Sequence, residues 1–345
     1  MHSASPLRSS DSPLSQQYDV ALLDLDGVVY IGADAVRGAP EALTAARGDG
    51  MRLAFVTNNA ARPPAAVAAH LTRLGVPAEP GDVINSAQAA AHYLADRLAP
   101  GAKVLVLGTT GLIEALRERG LSPVHSADDE PVAVVQGYSP QTDWQLLAEG
   151  AVAIGRGALW VATNLDPTVP SPRGPLPGNG SLVAALRHAT GKAPISTGKP
   201  DPTMHRESVD RSGARQPLVV GDRLDTDIEG ADAVGCDSLL VLTGVTGPAE
   251  LLAAPANMRP TYLAADLGGL IVSHTAPKLS GDAAELAGWR ADGELRLAWQ
   301  GEGRPDPLAA LRVLCAASWQ LGASGRRPTS ADAESRQALD GLGLG

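Results

Sequence analysis

Short apolar runs alternate with longer amphipathic stretches along most of this chain, and that alternation limits the available folds more than any other feature. Residues 18–25 (YDVALLDL), 51–57 (MRLAFVT), 103–107, 132–136, 159–162, 217–221 and 237–242 each read as a buried strand. Between them 39–48, 63–74, 112–119, 143–154, 181–190, 201–212 and 226–234 read as helices. Strand, helix, strand in repetition is the pattern of parallel βαβ construction, so the fold class is α/β with Rossmann-like parallel sheets. Punctuation agrees: Pro63 opens a helix where its missing N–H costs nothing, and Gly75 and Gly120 close helices. The 345 residues suffice for two domains and an appendage.

The opening pattern pauses after about residue 80 and resumes near 193. The simplest organisation is one body, 18–79 with 193–275, interrupted by a second α/β body at 80–192. A Pro/Gly-rich loop at 166–180 lies near the end of the insert. Residues 1–17 read as a disordered leader. The segment 276–345 changes character: Asp292-Gly293 between alternating runs at 289–300 signals a β-hairpin, and 307–320 reads as a helix. The Gly/Ser-rich end from Gly322 is expected to be disordered.

Charge and composition exclude several functions. With 28 Lys and Arg against 38 Asp and Glu, the chain carries a formal charge of −10 and offers no basic stripe for nucleic acid. Two cysteines, Cys236 and Cys315, cannot build a disulfide framework or a thiolate zinc site. No apolar run reaches the roughly 18–20 residues of a membrane span. A cytoplasmic protein that binds neither nucleic acid nor membrane is expected.

Four clusters carry chemistry. Asp24-Leu25-Asp26-Gly27 ends the first strand, at the carboxyl edge where open α/β sheets bind ligands. Alternation places Asp24 and Asp26 on one side, so one carboxylate can attack while the other handles a proton. Read alone, the same four residues are equally a turn. Thr57-Asn58-Asn59 ends the second strand; a hydroxyl and strand-end N–H groups can hold phosphate oxygens, or can simply cap a helix. Lys199, between Gly198 and Pro200, is a fixed point charge for a phosphoryl group, or a solvated loop lysine. In 219–227 (VVGDRLDTD), Asp222 stands where a hard oxygen ligand for magnesium would sit and Asp227 could support it; an acidic helix cap is the alternative. Asp24, Asp222 and a phosphate dianion together require cationic help, which magnesium and Lys199 would supply. By contrast, Gly108-Thr109-Thr110-Gly111 lacks the spacing of either nucleotide-phosphate loop and reads as a structural turn.

In this order, DLDGVVY at 24–30, FVTNNA at 55–60, TNLDPT at 163–168, PGNGSL at 177–182, STGKPDP at 196–202 and VVGDRLDTDIEGA at 219–231 resemble the haloacid dehalogenase superfamily of phosphatases. The resemblance is closest to its NagD-like, phosphoglycolate and glycerol-phosphate phosphatase branch and spans about 18–272. It implies that the insert is a cap domain and that Asp24 is the nucleophile and a ligand of Mg2+. Asp26 would be general acid and then base, with its main-chain carbonyl also on the metal. Thr57, Asn58 and Asn59 would hold phosphoryl oxygens, Lys199 would anchor the phosphoaspartate, Asp222 would complete the metal carboxylates and Asp227 would orient them. The implied activity is magnesium-dependent hydrolysis of small phosphate monoesters, glycerol 3-phosphate or 2-phosphoglycolate first, with nucleoside monophosphates, sugar phosphates and pyridoxal phosphate as other substrates. The partner would be a small phosphorylated metabolite, and a homodimer could form through the cap or the C-terminal extension. Two rivals stand beside it: a catalytically quiet phosphate-ligand sensor whose extension binds a partner, and a phosphotransferase to alcohol acceptors.

Overall fold

The computed structural model describes residues 7–169, 173–323 and 325–345. The chain divides into two compact units, Met1–Leu53 with Ala214–Gly345, and Ala54–Gly213. It passes from the first to the second inside the strand Arg52–Thr57.

In the first unit the parallel strands Val20–Leu23, Pro217–Gly221, Asp237–Val241 and Tyr262–Ala264 lie side by side in that order. All four residues of Val20–Leu23 are buried. A sheet covered on both faces needs continuous apolar strands, which is why this run shows no alternation. The N–H of Arg52 donates to the Asp19 carbonyl at 3.0 Å and starts the next strand beside Val20–Leu23. Helix Ala39–Gly48, with Pro40 in its first turn, supplies the crossover and buries Ala39, Ala42, Leu43 and Ala46.

The C-terminal segment belongs to the same unit. Lys278–Ser280, Ala283–Leu286, Trp289–Asp292 and Arg296–Trp299 form an antiparallel meander, and Thr329–Ser330 adds a parallel edge. The expected hairpin is therefore part of a larger sheet. Its turn is also longer than Asp292-Gly293 alone suggests: the Asp292 carboxylate accepts from Glu294 and Arg296 N–H at 2.9 and 3.0 Å, and Leu295 adopts φ +58°. Helix Pro307–Gln320 packs on Ala283–Leu286 and Trp289–Asp292 and on helix Pro248–Leu252. Its Leu311, Leu314 and Trp319 share one hydrophobic cluster with Leu224, Ile228, Leu240, Leu251, Leu252 and Leu263. Three side chains of this helix also bond main-chain carbonyls: Ser318 Oγ to Leu252 at 2.8 Å, Trp319 Nε1 to Leu251 at 3.2 Å, and Arg312 to Leu263 at 2.6 Å. The first two satisfy carbonyls at the end of helix Pro248–Leu252 that have no partner within the helix.

Both ends depart from the expectation of disorder. Leu7 and Leu14 are buried, and Arg8 and Ser10 N–H donate to the Thr261 and His274 carbonyls, each at 2.9 Å. Of the expected leader, residues 1–6 lie outside the described residues. At the other end helix Ala333–Gly341 begins on a reciprocal cap between Asp332 and Ser335 and buries Ala338 and Leu339. Burial of these few apolar residues, with Leu7, Ala338 and Leu339 in the same hydrophobic cluster as helix Pro307–Gln320, overrides the composition that suggested disorder.

In the second unit Ser122–Val124, Lys103–Leu107, Ala133–Gln136, Leu159–Ala162 and Ile195–Ser196 form a five-stranded parallel sheet. Alternate residues serve opposite faces. Val104, Val106, Val135 and Val161 meet Ala87, Ala91 and Leu94 of helix Ser86–Ala95 and Leu112 and Leu116 of helix Thr110–Glu118. Leu105, Leu107, Val134 and Trp160 meet Ile154 of helix Trp144–Gly155 and Val183 and Leu186 of helix Asn179–Thr190. Separately, Phe55–Thr57 pair in parallel with Val83–Asn85. Of the Pro/Gly-rich loop read at 166–180, residues 170–172 lie outside the described residues.

Candidate active site

The positions of the candidate carboxylates follow from strand register. Leu23 lies level with Val220, and the Asp24 N–H extends the ladder to the Val220 carbonyl at 2.8 Å. Asp24 and Asp222 therefore leave neighbouring strands at the same edge. Asp227 reaches them from the helical turn Leu224–Ile228, where its Oδ2 accepts the Arg223 N–H at 3.2 Å. One carboxylate oxygen from each of Asp24, Asp222 and Asp227 lies within 4.8 Å of the others, and no other cluster of this kind occurs among the described residues. Asp222 and Asp227 are buried.

The loop after Asp237–Val241 closes around Asp222. Val245 N–H donates to Asp222 Oδ2 at 2.7 Å, Thr246 N–H to the Asp222 carbonyl at 3.1 Å, and Thr243 Oγ1 to the Gly27 carbonyl at 2.6 Å. Two glycines make this approach possible. A Cβ on Gly27, at φ +85°, would sit 2.7 Å from Asp222 Oδ2, and one on Gly244 would overlap the same oxygen. Nothing in the sequence reading singled out 243–246. The one visible signal is TGVTG directly after a strand that ends beside an aspartate. Asp26 is exposed, pairs through an isolated bridge with Tyr30, and lies outside the carboxylate trio. The trio includes Asp227, which the resemblance implied only as support; for Asp26 it implied a main-chain carbonyl on the metal rather than a carboxylate oxygen.

In the second unit Thr57 ends its strand buried, with Oγ1 accepting the Asn59 N–H at 3.1 Å, while Asn59 Oδ1 accepts the Ala61 N–H at 2.9 Å. These bonds turn the chain sharply after the strand. Lys199 is buried and its Nζ lies 3.3 Å from the Val56 carbonyl. The Asn58 side chain grips the lysine's own main chain: Oδ1 accepts the Lys199 N–H at 2.8 Å, and Nδ2 donates to the Lys199 carbonyl at 3.2 Å. Thr57, Asn58, Asn59 and Lys199 thus form one hydrogen-bonded loop pair. The Gly108-Thr109-Thr110-Gly111 turn is structural, as expected: Thr109 Oγ1 bonds the Ala61 carbonyl at 3.0 Å, and a Cβ on Gly111 would meet the Ala60 carbonyl at 2.9 Å.

Three family models match the chain. Residues 21–122 match a haloacid dehalogenase-like hydrolase, 196–270 a HAD-hydrolase-like segment, and 286–344 a GCN5-related N-acetyltransferase-like domain. A D-glycerol 3-phosphate phosphatase of Mycobacterium tuberculosis is 47% identical over 339 residues, covering 95% of this chain and 94% of its own length. The chain belongs to the haloacid dehalogenase-like hydrolases. Within them it is a phosphatase. An acid sugar phosphatase of Staphylococcus aureus is 36% identical over 258 residues, covering 74% of this chain but 98% of itself. Among solved structures, the M. tuberculosis glycerol phosphate phosphatase in complex with magnesium superposes with a TM-score of 0.85 at 43% identity, covering 97% of this chain and 100% of that one.

The carboxylate trio of this phosphatase suits a divalent cation. Three acidic side chains with oxygens within 4.8 Å of one another, two of them buried, repel strongly unless a cation stands among them. All donors are hard oxygens from a small set, the kind that binds magnesium while leaving positions for water and phosphate. Asp24, Asp222 and Asp227 are the side chains that would hold it.

Proposed function

We propose that this phosphatase hydrolyses glycerol 3-phosphate in a magnesium-dependent reaction through a phosphorylated Asp24. The carboxylate trio carries the reaction; the end-to-end match to a glycerol 3-phosphate phosphatase supports the substrate, with 2-phosphoglycolate as the next candidate. On this reading, an Asp24 carboxylate oxygen attacks phosphorus as the bond to the ester oxygen breaks, and Asp26 gives that oxygen its proton. Exposed Asp26 then takes a proton from water, which attacks phosphorus and frees inorganic phosphate and Asp24. Bound magnesium offsets negative charge on the phosphoryl group and the carboxylates.

Thr57, Asn58, Asn59 and Lys199 take phosphoryl oxygens. With its side-chain amide committed to Lys199, Asn58 contributes through its main-chain N–H. Residues 18–79 with 193–275 act as the catalytic body and 80–192 as the cap. A cytoplasmic setting without nucleic-acid or membrane binding fits the charge of −10 and the two free cysteines, and no helix among the described residues is long and apolar enough to cross a membrane. A homodimer through the cap or the C-terminal extension belongs to the same reading.

The test is phosphate release from glycerol, glycolate, sugar and nucleoside phosphates, with and without magnesium, comparing wild type with Asp24→Asn. Release that needs magnesium, favours glycerol 3-phosphate by kcat/KM and vanishes in the variant is expected. A silent wild type would refute the proposal, and a preference for nucleotides or pyridoxal phosphate would refute its substrate.

A further inference from the structure

Two sequence motifs, TNLDPT and PGNGSL, have no role in the chemistry above, yet the structure joins both to the phosphate loop. Asn164, just past the strand Leu159–Ala162, is buried and donates from Nδ2 to the Asn58 carbonyl at 2.8 Å. Its Oδ1 accepts the Asp166 N–H at 3.2 Å. Asp166 in turn accepts from Asn58 Nδ2, at 3.2 Å to Oδ2. Asn179, the buried first residue of helix Asn179–Thr190, donates from Nδ2 to the Asn164 carbonyl at 2.7 Å and lies 3.3 Å from the Gln136 carbonyl. Ser86 Oγ gives the Asn58 carbonyl a second donor at 2.6 Å. The hydrogen bonds run without a break from Gln136 through Asn179, Asn164 and Asn58 to the main chain of Lys199.

Glycines let these backbones close on one another. A Cβ on Gly178 would overlap the Asp166 carbonyl, one on Gly180 the Leu165 carbonyl, and one on Gly198 the Thr163 carbonyl, with Asn58 Oδ1 at 2.8 Å. Asn179 is thus pressed onto the 164–168 loop because both its neighbours lack side chains, and Gly198 brings Lys199 onto the same junction. The buried amides saturate carbonyls that would otherwise be stranded out of water.

We infer that Asn164 and Asn179 are positioning residues, which fix the Asn58 main chain and through it the Lys199 loop. The inference rests on the phosphatase reading, because it assigns what those residues hold in place. Small displacements of phosphoryl-binding groups lower turnover steeply, about 100-fold for a shift of about 1 Å.

The test uses isosteric variants, so that no cavity is created. Asn164→Asp keeps the acceptor for Asp166 N–H but sets a carboxylate oxygen against the Asn58 carbonyl. Asn179→Asp does the same against the Asn164 and Gln136 carbonyls. Exposed Leu165 supplies the control, Leu165→Ala. We expect kcat to fall about 10- to 100-fold in both Asn variants and the inhibition constant for inorganic phosphate to rise in parallel. Half-saturation by magnesium, set by Asp24, Asp222 and Asp227, stays unchanged, and Leu165→Ala matches wild type. Should one variant fail to melt cooperatively, the other carries the comparison. Folded variants within twofold of wild type in kcat and phosphate inhibition would overturn the inference. So would a loss of turnover with phosphate inhibition unaltered. A wild type that releases no phosphate with magnesium would count instead against the phosphatase reading.

Discussion

Removing residues 276–345 should cost the phosphatase its fold rather than an accessory function. Six large aliphatic side chains outside that segment, Leu224, Ile228, Leu240, Leu251, Leu252 and Leu263, share a cluster with Trp289, Leu311, Leu314 and Trp319 inside it. Burying one such side chain stabilises by about 1.5–3 kcal/mol. If truncation exposed the six by only half on average, the loss would be roughly 5–9 kcal/mol, comparable with the roughly 5–15 kcal/mol that holds a whole domain together. The staphylococcal relative, matched over 98% of itself by 74% of this chain, has no counterpart for about a quarter of it. The need for the extension comes from the apolar face this chain presents to it. A milder change gives a measurable step: Leu314→Ala should cost about 2–5 kcal/mol and lower Tm by roughly 5–15 °C. Because Leu224 and Ile228 flank Asp227 in that cluster, the melt should be followed with and without magnesium, together with turnover. A truncated 1–275 protein with wild-type Tm and magnesium-dependent activity would refute the reasoning and make the extension an independent module.

Other consequences follow from single contacts. Gly244→Ala places a methyl group on the Asp222 carboxylate and should raise the magnesium needed for half-maximal activity at least about tenfold, read from a metal titration; an unchanged titration would mean that the 243–246 loop does not fix Asp222. Chelation with EDTA should abolish turnover and readdition of magnesium restore it, whereas persistent activity would rule out the trio as an essential cation site. Burial holds the His274 imidazole below its ordinary pKa, opposed by its bond to the Gly269 carbonyl and reinforced by Arg312 at 3.4 Å from Nδ1. The unfolded chain therefore binds this proton more readily, so the stability contributed by neutral His274 is present above about pH 6.5 and lost as pH falls toward the depressed folded value. Tm should drop between about pH 7 and 5, and less so in His274→Gln; equal drops would refute the assignment. Burial pushes the Cys236 thiol up to about 11 and also raises Cys315, so a thiol-disulfide reagent at pH 8 should modify neither at the rate of a free thiol until the protein is denatured.

What was legible in the sequence, and what was not, divides along the range of the forces involved. Helix Ala39–Gly48 and strand Lys103–Leu107 stand at the expected residues because local pattern and Pro or Gly punctuation decide them. Helices expected to begin at Asp143 and Asp201 begin one residue later, since both aspartates act as caps: Asp143 accepts the Leu146 N–H and Asp201 the Thr203 N–H, each at 2.9 Å. Asp24 and Asp222 were legible as a pair because each follows a buried strand, and parallel register then brings them level. Asp227 was legible only as a neighbour. Its place in the trio depends on the helical turn Leu224–Ile228, which sequence periodicity read as the start of an ordinary helix.

The order of the two termini was hidden for a different reason. Leu14, Ala338 and Leu339 are too few to mark a core by composition, and they are buried because other segments cover them. The asparagine junction was hidden more deeply still. An asparagine in a loop reads as turn or cap, and its role here depends on which carbonyl its amide reaches. That choice is made by Gly178, Gly180 and Gly198, whose missing side chains set how closely three loops approach. The glycines were in view as motif residues, yet a glycine in a sequence does not say which backbone will lie against it. In this chain the groups proposed to react are therefore readable from residue type and strand position. The groups that hold them still become readable only once the backbones are in place.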